Sequence, residues 1–298
     1  MTVPPMDDQQ TLVQTRPLIL GGQTVAEYVW RPHVPHTLSP RPFLHPVRTL
    51  AGTPVTEMMP PDHLHHLGVS LAVPDAGGTN FWGGRTYVRD QGSLPLPNHG
   101  VQRHHRWEAA TPALLAHELH WIGPDGSTLL RERRRIAARP IDHRAWALDF
   151  RYALQNLTAE PLVFSSPGVK GRTGAGYGGY FWRARRGRNG VKILGPGVSG
   201  AEHLHGSTAP WLALCTADAE PWTLVFIDIA AQRDPWFVRD GDYVGVGPAL
   251  AWTKPLTAAP GEGPRRRIIT VVADGDLGPR AIEGLVEAVA ASPAPREA

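Results

Sequence analysis

Cysteine is almost absent from this 298-residue chain: Cys215 stands alone. That excludes a disulfide framework and a four-cysteine zinc module. Lysine is nearly as scarce, confined to Lys170, Lys192 and Lys254, so the basic set is arginine-heavy while the formal net charge is only +3. Arginine usage of this kind also tracks genome base composition, and no nucleic-acid partner is expected from it. No run approaches the roughly 18 continuous apolar residues of a membrane helix. The first ten residues, MTVPPMDDQQ, have neither a basic start nor an apolar core, so no signal peptide is expected. The default is a cytoplasmic protein with no membrane partner, and the oligomeric state is left open.

Glycine, proline and tryptophan are abundant, at 32, 30 and 10 residues. Many short strands joined by turns follow from that composition. Leu114 to Ile122, the turn Gly123-Pro124-Asp125-Gly126, and Ser127 to Ala137 read as a hairpin. In Ala145 to Leu154, alternation places Trp146, Leu148, Phe150 and Tyr152 on one side of a strand. Trp211 to Thr216 and Trp222 to Ile229 form a second hairpin, and Arg267 to Ala273 a last strand. The one convincing helix is Pro279 to Ala291, with Pro279 at the first helical position and an apolar stripe of Ile282, Leu285, Val286 and Val289. The expected fold is all-β: an antiparallel two-sheet sandwich with a short C-terminal helix, one domain over residues 15–292 between flexible termini at 1–14 and 293–298.

Asp62-His63-Leu64-His65-His66 is the densest chemical signal, and it runs into an apolar strand, Val69 to Val73. Imidazole is the side chain whose proton moves near neutral pH and the commonest metal ligand. If the segment is extended, His63 and His65 share a side and His66 faces the other way. His203-Leu204-His205 reads as solvated loop. His117-Glu118-Leu119-His120 lacks the i, i+4 helical spacing of a zinc protease; on a strand its two imidazoles point to opposite faces. Arg131 to Arg135 and Arg265 to Arg267 read as solvated strand faces. The glycine-dense stretch Gly174 to Arg183, and Asn80-Phe81-Trp82-Gly83-Gly84, combine close backbone approach with aromatic faces, as a sugar site requires.

Several segments resemble the PmoA-like family: Arg41 to Thr49, Pro54-Val55-Thr56, the block Asp62 to Gly68, Phe81-Trp82, Gly178 to Arg183, and Pro235 to Arg239. The resemblance spans roughly residues 18 to 275. It implies a soluble bacterial protein associated with sugar catabolism. The "methane oxygenase" label of that family is set aside, because a membrane oxygenase subunit needs spanning helices that this chain lacks. Pro97 to Arg103 followed by Trp107, and Leu154 to Leu162, are similar to segments of galactose-mutarotase-like sugar epimerases. That resemblance implies their two-sheet supersandwich, with His99 and Arg103 addressing the sugar ring. Ser165-Ser166-Pro167-Gly168 and Gly247 stand where those enzymes carry a catalytic His and Glu, so ordinary mutarotation is not expected.

The leading expectation is a carbohydrate-active enzyme acting on a sugar or oxidised sugar in a sandwich cleft, with Asp62, His63, His65 and His66 catalytic. In it, His65 or His66 is the acid–base group and Asp62 fixes an imidazole tautomer. Arg41, His45, His99, Arg103 and Arg183 would bind hydroxyls or a carboxylate, with Trp82 and Tyr177 stacking on the ring. No organic cofactor is expected. A divalent metal held by His63 and His65 is one alternative; a non-catalytic sugar-binding module is the other.

Overall fold

The computed structural model describes residues 13–291. The expected flexible leader and tail lie outside the described residues except at Val13 and Gln14, and Gln14 opens the first strand. Two large sheets dominate. One has seven strands, in the order Gln14–Leu20, Gln23–Arg31, Phe43–Val47, Val69–Ala72, Gly179–Arg183, Gly245–Pro248 and Trp236–Arg239. The other has nine, in the order Val198–Ser199, Lys192–Gly195, Trp211–Cys215, Trp222–Asp228, Arg265–Asp274, Ala145–Asn156, Thr128–Pro140, Leu114–Ile122 and Val101–Thr111. Their ladders are antiparallel. The all-β antiparallel sandwich with a C-terminal helix is therefore what the chain adopts.

Alternation builds the core. Trp146, Leu148, Phe150 and Tyr152 face the smaller sheet, where Phe150 meets Tyr180 at 5.1 Å between ring centroids. Ala145 and Ala147 face outward and are covered by the helix Pro279–Ala291 through Ile282, Leu285 and Val289. Buried tryptophans need a partner for their N–H groups. Trp146 donates to the Arg48 carbonyl, Trp182 to that of Val55 and Trp236 to that of Ala209.

A polar network also crosses between the sheets. Arg134 and Glu132, both fully buried, pair at 2.6 Å. Arg134 donates to the Tyr28 hydroxyl, which meets His117 Nε2 at 2.8 Å, and Trp121 donates to Glu132. The charged run 131–135 is thus solvated only on its odd-numbered side; its even members point into the core. His117 and His120 do take opposite faces, His117 inward and His120 outward beside His105. No helix among the described residues is long and apolar enough to cross a membrane.

Candidate functional site

The segment Asp62–His66 is not extended. His63 N–H donates to the Pro60 carbonyl at 2.9 Å and His66 N–H to that of His63 at 2.9 Å, which makes two successive turns. Two prolines before Asp62 favour the first turn. The turns bring all three imidazoles together instead of splitting them across a strand. The rings of His63 and His66 stack at 4.6 Å, and His65 meets His66 edge-on at 4.7 Å. Gly68, which closes the block, has φ +47°, and a Cβ there would lie 2.2 Å from the Leu44 carbonyl oxygen. Only glycine lets the loop dive into the strand Val69–Ala72 at that point.

The glycines of Trp82-Gly83-Gly84 serve the same cluster. A Cβ on Gly83 would sit 2.9 Å from His65 Cβ and one on Gly84 2.9 Å from His65 Nδ1. The paired glycines are the seat of the His65 ring. Arg41, 1% exposed, fixes the seat from behind: it donates to the carbonyls of His65 at 2.7 Å and Trp82 at 2.9 Å. His99 Nε2–H donates to the Gly84 carbonyl at 2.7 Å. Both residues are expected from the sequence to bind substrate; in the structure both hold backbone carbonyls of the loops around His65.

These elements wall a hollow of about 470 Å³ lined by Asp62, His63, His65 and His66, by Trp82 and Tyr177, and by Phe237 and Tyr243. Arg85, Arg172, Arg239 and Asp242 also line it. Its floor is the outer side of the seven-stranded sheet, because Ala72, Phe181 and Phe237 pack outward while Leu71, Tyr180 and Val238 pack inward. The site therefore lies on top of the smaller sheet and not in a cleft between the sheets. Trp82 and Tyr177 pack at 4.6 Å and form the aromatic wall.

Not every expected residue is there. Arg103 is exposed on the strand Val101–Thr111, opposite His120 on the outer face of the other sheet. It is removed from the hollow, a correction that follows from the strand's register. His45 is bonded through Nδ1 to the Thr56 hydroxyl at 2.9 Å, and burial, then the Arg48 charge, hold it below the usual histidine range. Arg183 is 4% exposed, paired to Glu57 at 2.8 Å, and stacked 4.8 Å from the Tyr243 ring; it supports the wall from outside.

Conversely, Arg85, Arg172, Arg239 and Tyr243 escaped sequence reasoning. The only sequence signal was the Pro235 to Arg239 segment, whose alternation sends Phe237 and Arg239 to one face. His205 is also not a solvated residue. Its Nε2–H donates to the Gly174 carbonyl at 2.9 Å and its Nδ1 accepts from Val238 N–H at 3.2 Å, tying the glycine-rich loop to the strand Trp236–Arg239.

The electrostatics separate the histidines by role. Burial first, then the Arg41 charge, pushes His65 down to about 3. Burial drives His66 lower still, and neither of its ring nitrogens has a hydrogen-bond partner among the described residues; Nδ1 is fully buried. Both rings are neutral at physiological pH. His63 differs: its Nδ1 lies 2.6 Å from Asp62 Oδ2, and that bond holds the Asp62 carboxyl below its ordinary range. An ionised carboxylate only accepts, so Nδ1 carries a proton, and in the neutral form of the ring the lone pair is on Nε2. Burial raises Tyr243 to about 12, which leaves its hydroxyl as a donor.

A metal at His63 and His65 would need further ligands. Among the described residues, the set of three His, Asp or Glu side chains whose ligand atoms all lie within 4.8 Å of one another is His105, Glu118 and His120. That set is on the nine-stranded sheet, and its Glu118 is already paired to Arg106 at 2.9 Å.

No curated protein matches the chain. Among solved structures, a heparan sulfate lyase HepC mutant from Pedobacter heparinus is similar at 12% identity and a TM-score of 0.26, over 59% of this chain and 22% of that one. A heparinase III gene product with methylated lysines is similar at 8% identity and a TM-score of 0.24, again over 59% of this chain and 22% of the other. The chain thus spans under a quarter of the length of either. A match over residues 17–287 shows that the chain belongs to the family of unknown function DUF6807.

Proposed function

We propose that the protein is a carbohydrate-active enzyme that works on an oxidised sugar, one bearing a carboxylate, by histidine acid–base chemistry in the hollow above the seven-stranded sheet. The observation that carries this reading is the Asp62–His63 dyad at 2.6 Å on the wall of a hollow that also holds neutral imidazoles and an aromatic wall. Asp62 fixes the tautomer, His63 Nε2 takes a proton from the substrate, and the imidazolium formed is stabilised by the same carboxylate before it returns the proton. His65, His66 and Tyr243 stay uncharged, and the half-buried His65 and Tyr243 supply hydrogen-bonding groups for hydroxyls. Tyr177, half-buried, offers its ring to the sugar C–H surface, and Trp82, 5% exposed, packs against it.

The carboxylate preference rests on Arg85, Arg172 and Arg239 around the hollow, against Asp62, already engaged by His63, and Asp242. Guanidinium forks match carboxylates in a bidentate fashion. A hollow of about 470 Å³ falls within the range of small-molecule sites. The resemblance of the Asp62 to Gly68 block to the PmoA-like family, associated with sugar catabolism, agrees with this reading. The test is turnover of a panel of uronic and aldonic acids beside their neutral parent sugars, followed by proton NMR in D₂O. Conversion of an acid sugar that is lost in His63→Gln supports the proposal. Full activity of that variant, or conversion of neutral sugars only, contradicts it.

A further inference from the structure

The outer face of the nine-stranded sheet divides in two. One half is apolar and lies under the helix Pro279–Ala291; the other carries arginines in register. Residues directly opposite on neighbouring strands share a face. In one row Arg103 stands opposite His120, His120 opposite Arg131, and Arg131 opposite Gln155. In the next, Arg106, Glu118, Arg133, Ala153 and Arg265 follow one another across five strands. In the third, Arg135, Arg151 and Arg267 are adjacent.

Like charges side by side on a sheet repel, so such rows call for counter-charge. The protein supplies only part of it. Asp149 accepts from both Arg151 and Arg267, and Glu118 takes Arg106 at 2.9 Å. Arg103, Arg131, Arg135 and Arg265 have no carboxylate partner among the described residues. The exposed Arg133 has only Glu108, at 3.7 Å. Beside these rows a hollow of about 560 Å³ is lined by Arg131, Arg133 and Arg265, and by Arg266, which Asp234 already pairs, with Glu262 as its one acid and no aromatic side chain.

We propose that this face is a second binding site, a docking track for an acidic polysaccharide bearing carboxylate or sulfate groups along its length. Strands lie about 4.8 Å apart and same-face residues recur about every 6.8 Å along a strand, so cations repeat in two directions over about 20 Å. A linear polyanion meets that repeat, whereas a single small anion meets one fork of it. Arginine forks suit planar and tetrahedral oxyanions. Single-stranded nucleic acid is disfavoured because its binding sites add aromatic platforms for the bases, and this hollow has none. The track lies on the opposite side of the sandwich from the histidine hollow and does not depend on the chemistry proposed there.

The experiment is affinity electrophoresis of the full chain through gels holding polygalacturonate, dextran sulfate or neutral dextran, beside a gel shift with a single-stranded oligodeoxynucleotide at the same ionic strength. Retardation by at least one acidic polysaccharide is expected, weakening steeply with salt. It should fall about tenfold or more in R131S/R133S/R265S and in the exposed single variant R133E, and persist in R85S/R172S. Whichever polymer retards the protein identifies carboxylate or sulfate as the ligand group. Equal retardation by neutral dextran, unchanged retardation of both track variants, or tighter binding of the oligonucleotide than of either polysaccharide overturns the proposal.

Discussion

His63 donates its Nδ1 proton to Asp62 across 2.6 Å, and under the proposed function this contact decides which ring nitrogen acts as the base. Asp62→Asn keeps the shape but can turn an amide N–H toward Nδ1, moving the imidazole proton to Nε2. If the proposed function holds, kcat on the sugar acid found to be a substrate falls by about 10²-fold or more with little change in KM. Steady-state kinetics of Asp62→Asn beside Asp62→Ala checks this, and a KM effect alone would assign the carboxylate to substrate binding.

Acid stability follows from the buried rings. His65 and His66 are neutral in the folded chain, because burial pushes both down, His65 to about 3. In the unfolded chain they bind protons below about pH 6.5. Stability from these two is therefore complete above that pH and is lost as pH falls from 6.5 toward 3. Each uncompensated proton gives a slope of about 1.4 kcal/mol per pH unit. Urea titrations across that window should show a shallower acid decline in His66→Asn by about one proton, and an unchanged slope would count against a neutral, desolvated His66.

Two glycines with similar backbone angles should respond differently to alanine. Gly84 has φ +70° and meets His65 Nδ1 at 2.9 Å, whereas Gly92 has φ +80° and nothing within 4 Å of its Cβ position. Gly92→Ala carries the conformational strain alone, about 1 kcal/mol. Gly84→Ala adds displacement of His65 and should both lower the melting temperature further and abolish turnover. Equal melting temperatures for the two would mean that the His65 seat is not tight.

The inter-sheet pair is the most sensitive structural point. Glu132→Gln leaves the Arg134 guanidinium, with 0% side-chain exposure, without its counter-charge. Removing one partner of a buried pair costs about 3–5 kcal/mol. Chemical denaturation should report a loss of that size, while the surface variant Arg133→Ser, at 62% side-chain exposure, should cost well under 1 kcal/mol.

Much of this architecture is legible in the sequence, for physical reasons. The start and buried face of the helix Pro279–Ala291 are found because a first-position proline and one apolar stripe define them. The hairpin Leu114–Ile122 with Thr128–Pro140 is announced by Pro-Asp-Gly. The histidine block, Trp82 and Tyr177, singled out in the sequence, line one hollow. The geometry of the block is not legible, because side-chain density says nothing about turns, and two prolines outweigh the pull of the following strand. Arg103 misled because a motif match carries no register. Arg85, Arg172, Arg239 and Tyr243 converge on the hollow from separated segments, and only tertiary folding brings them together.

The most direct test is a long-range proton–nitrogen correlation spectrum of the histidine rings during titration with galacturonate and, separately, galactose. His63 is expected as the Nδ1–H tautomer in the free protein, with its Nε2 signal moving on addition of the acid and hardly at all with the neutral sugar. A His63 proton on Nε2, or an unmoved His63 signal while galacturonate demonstrably binds, would contradict the proposed function.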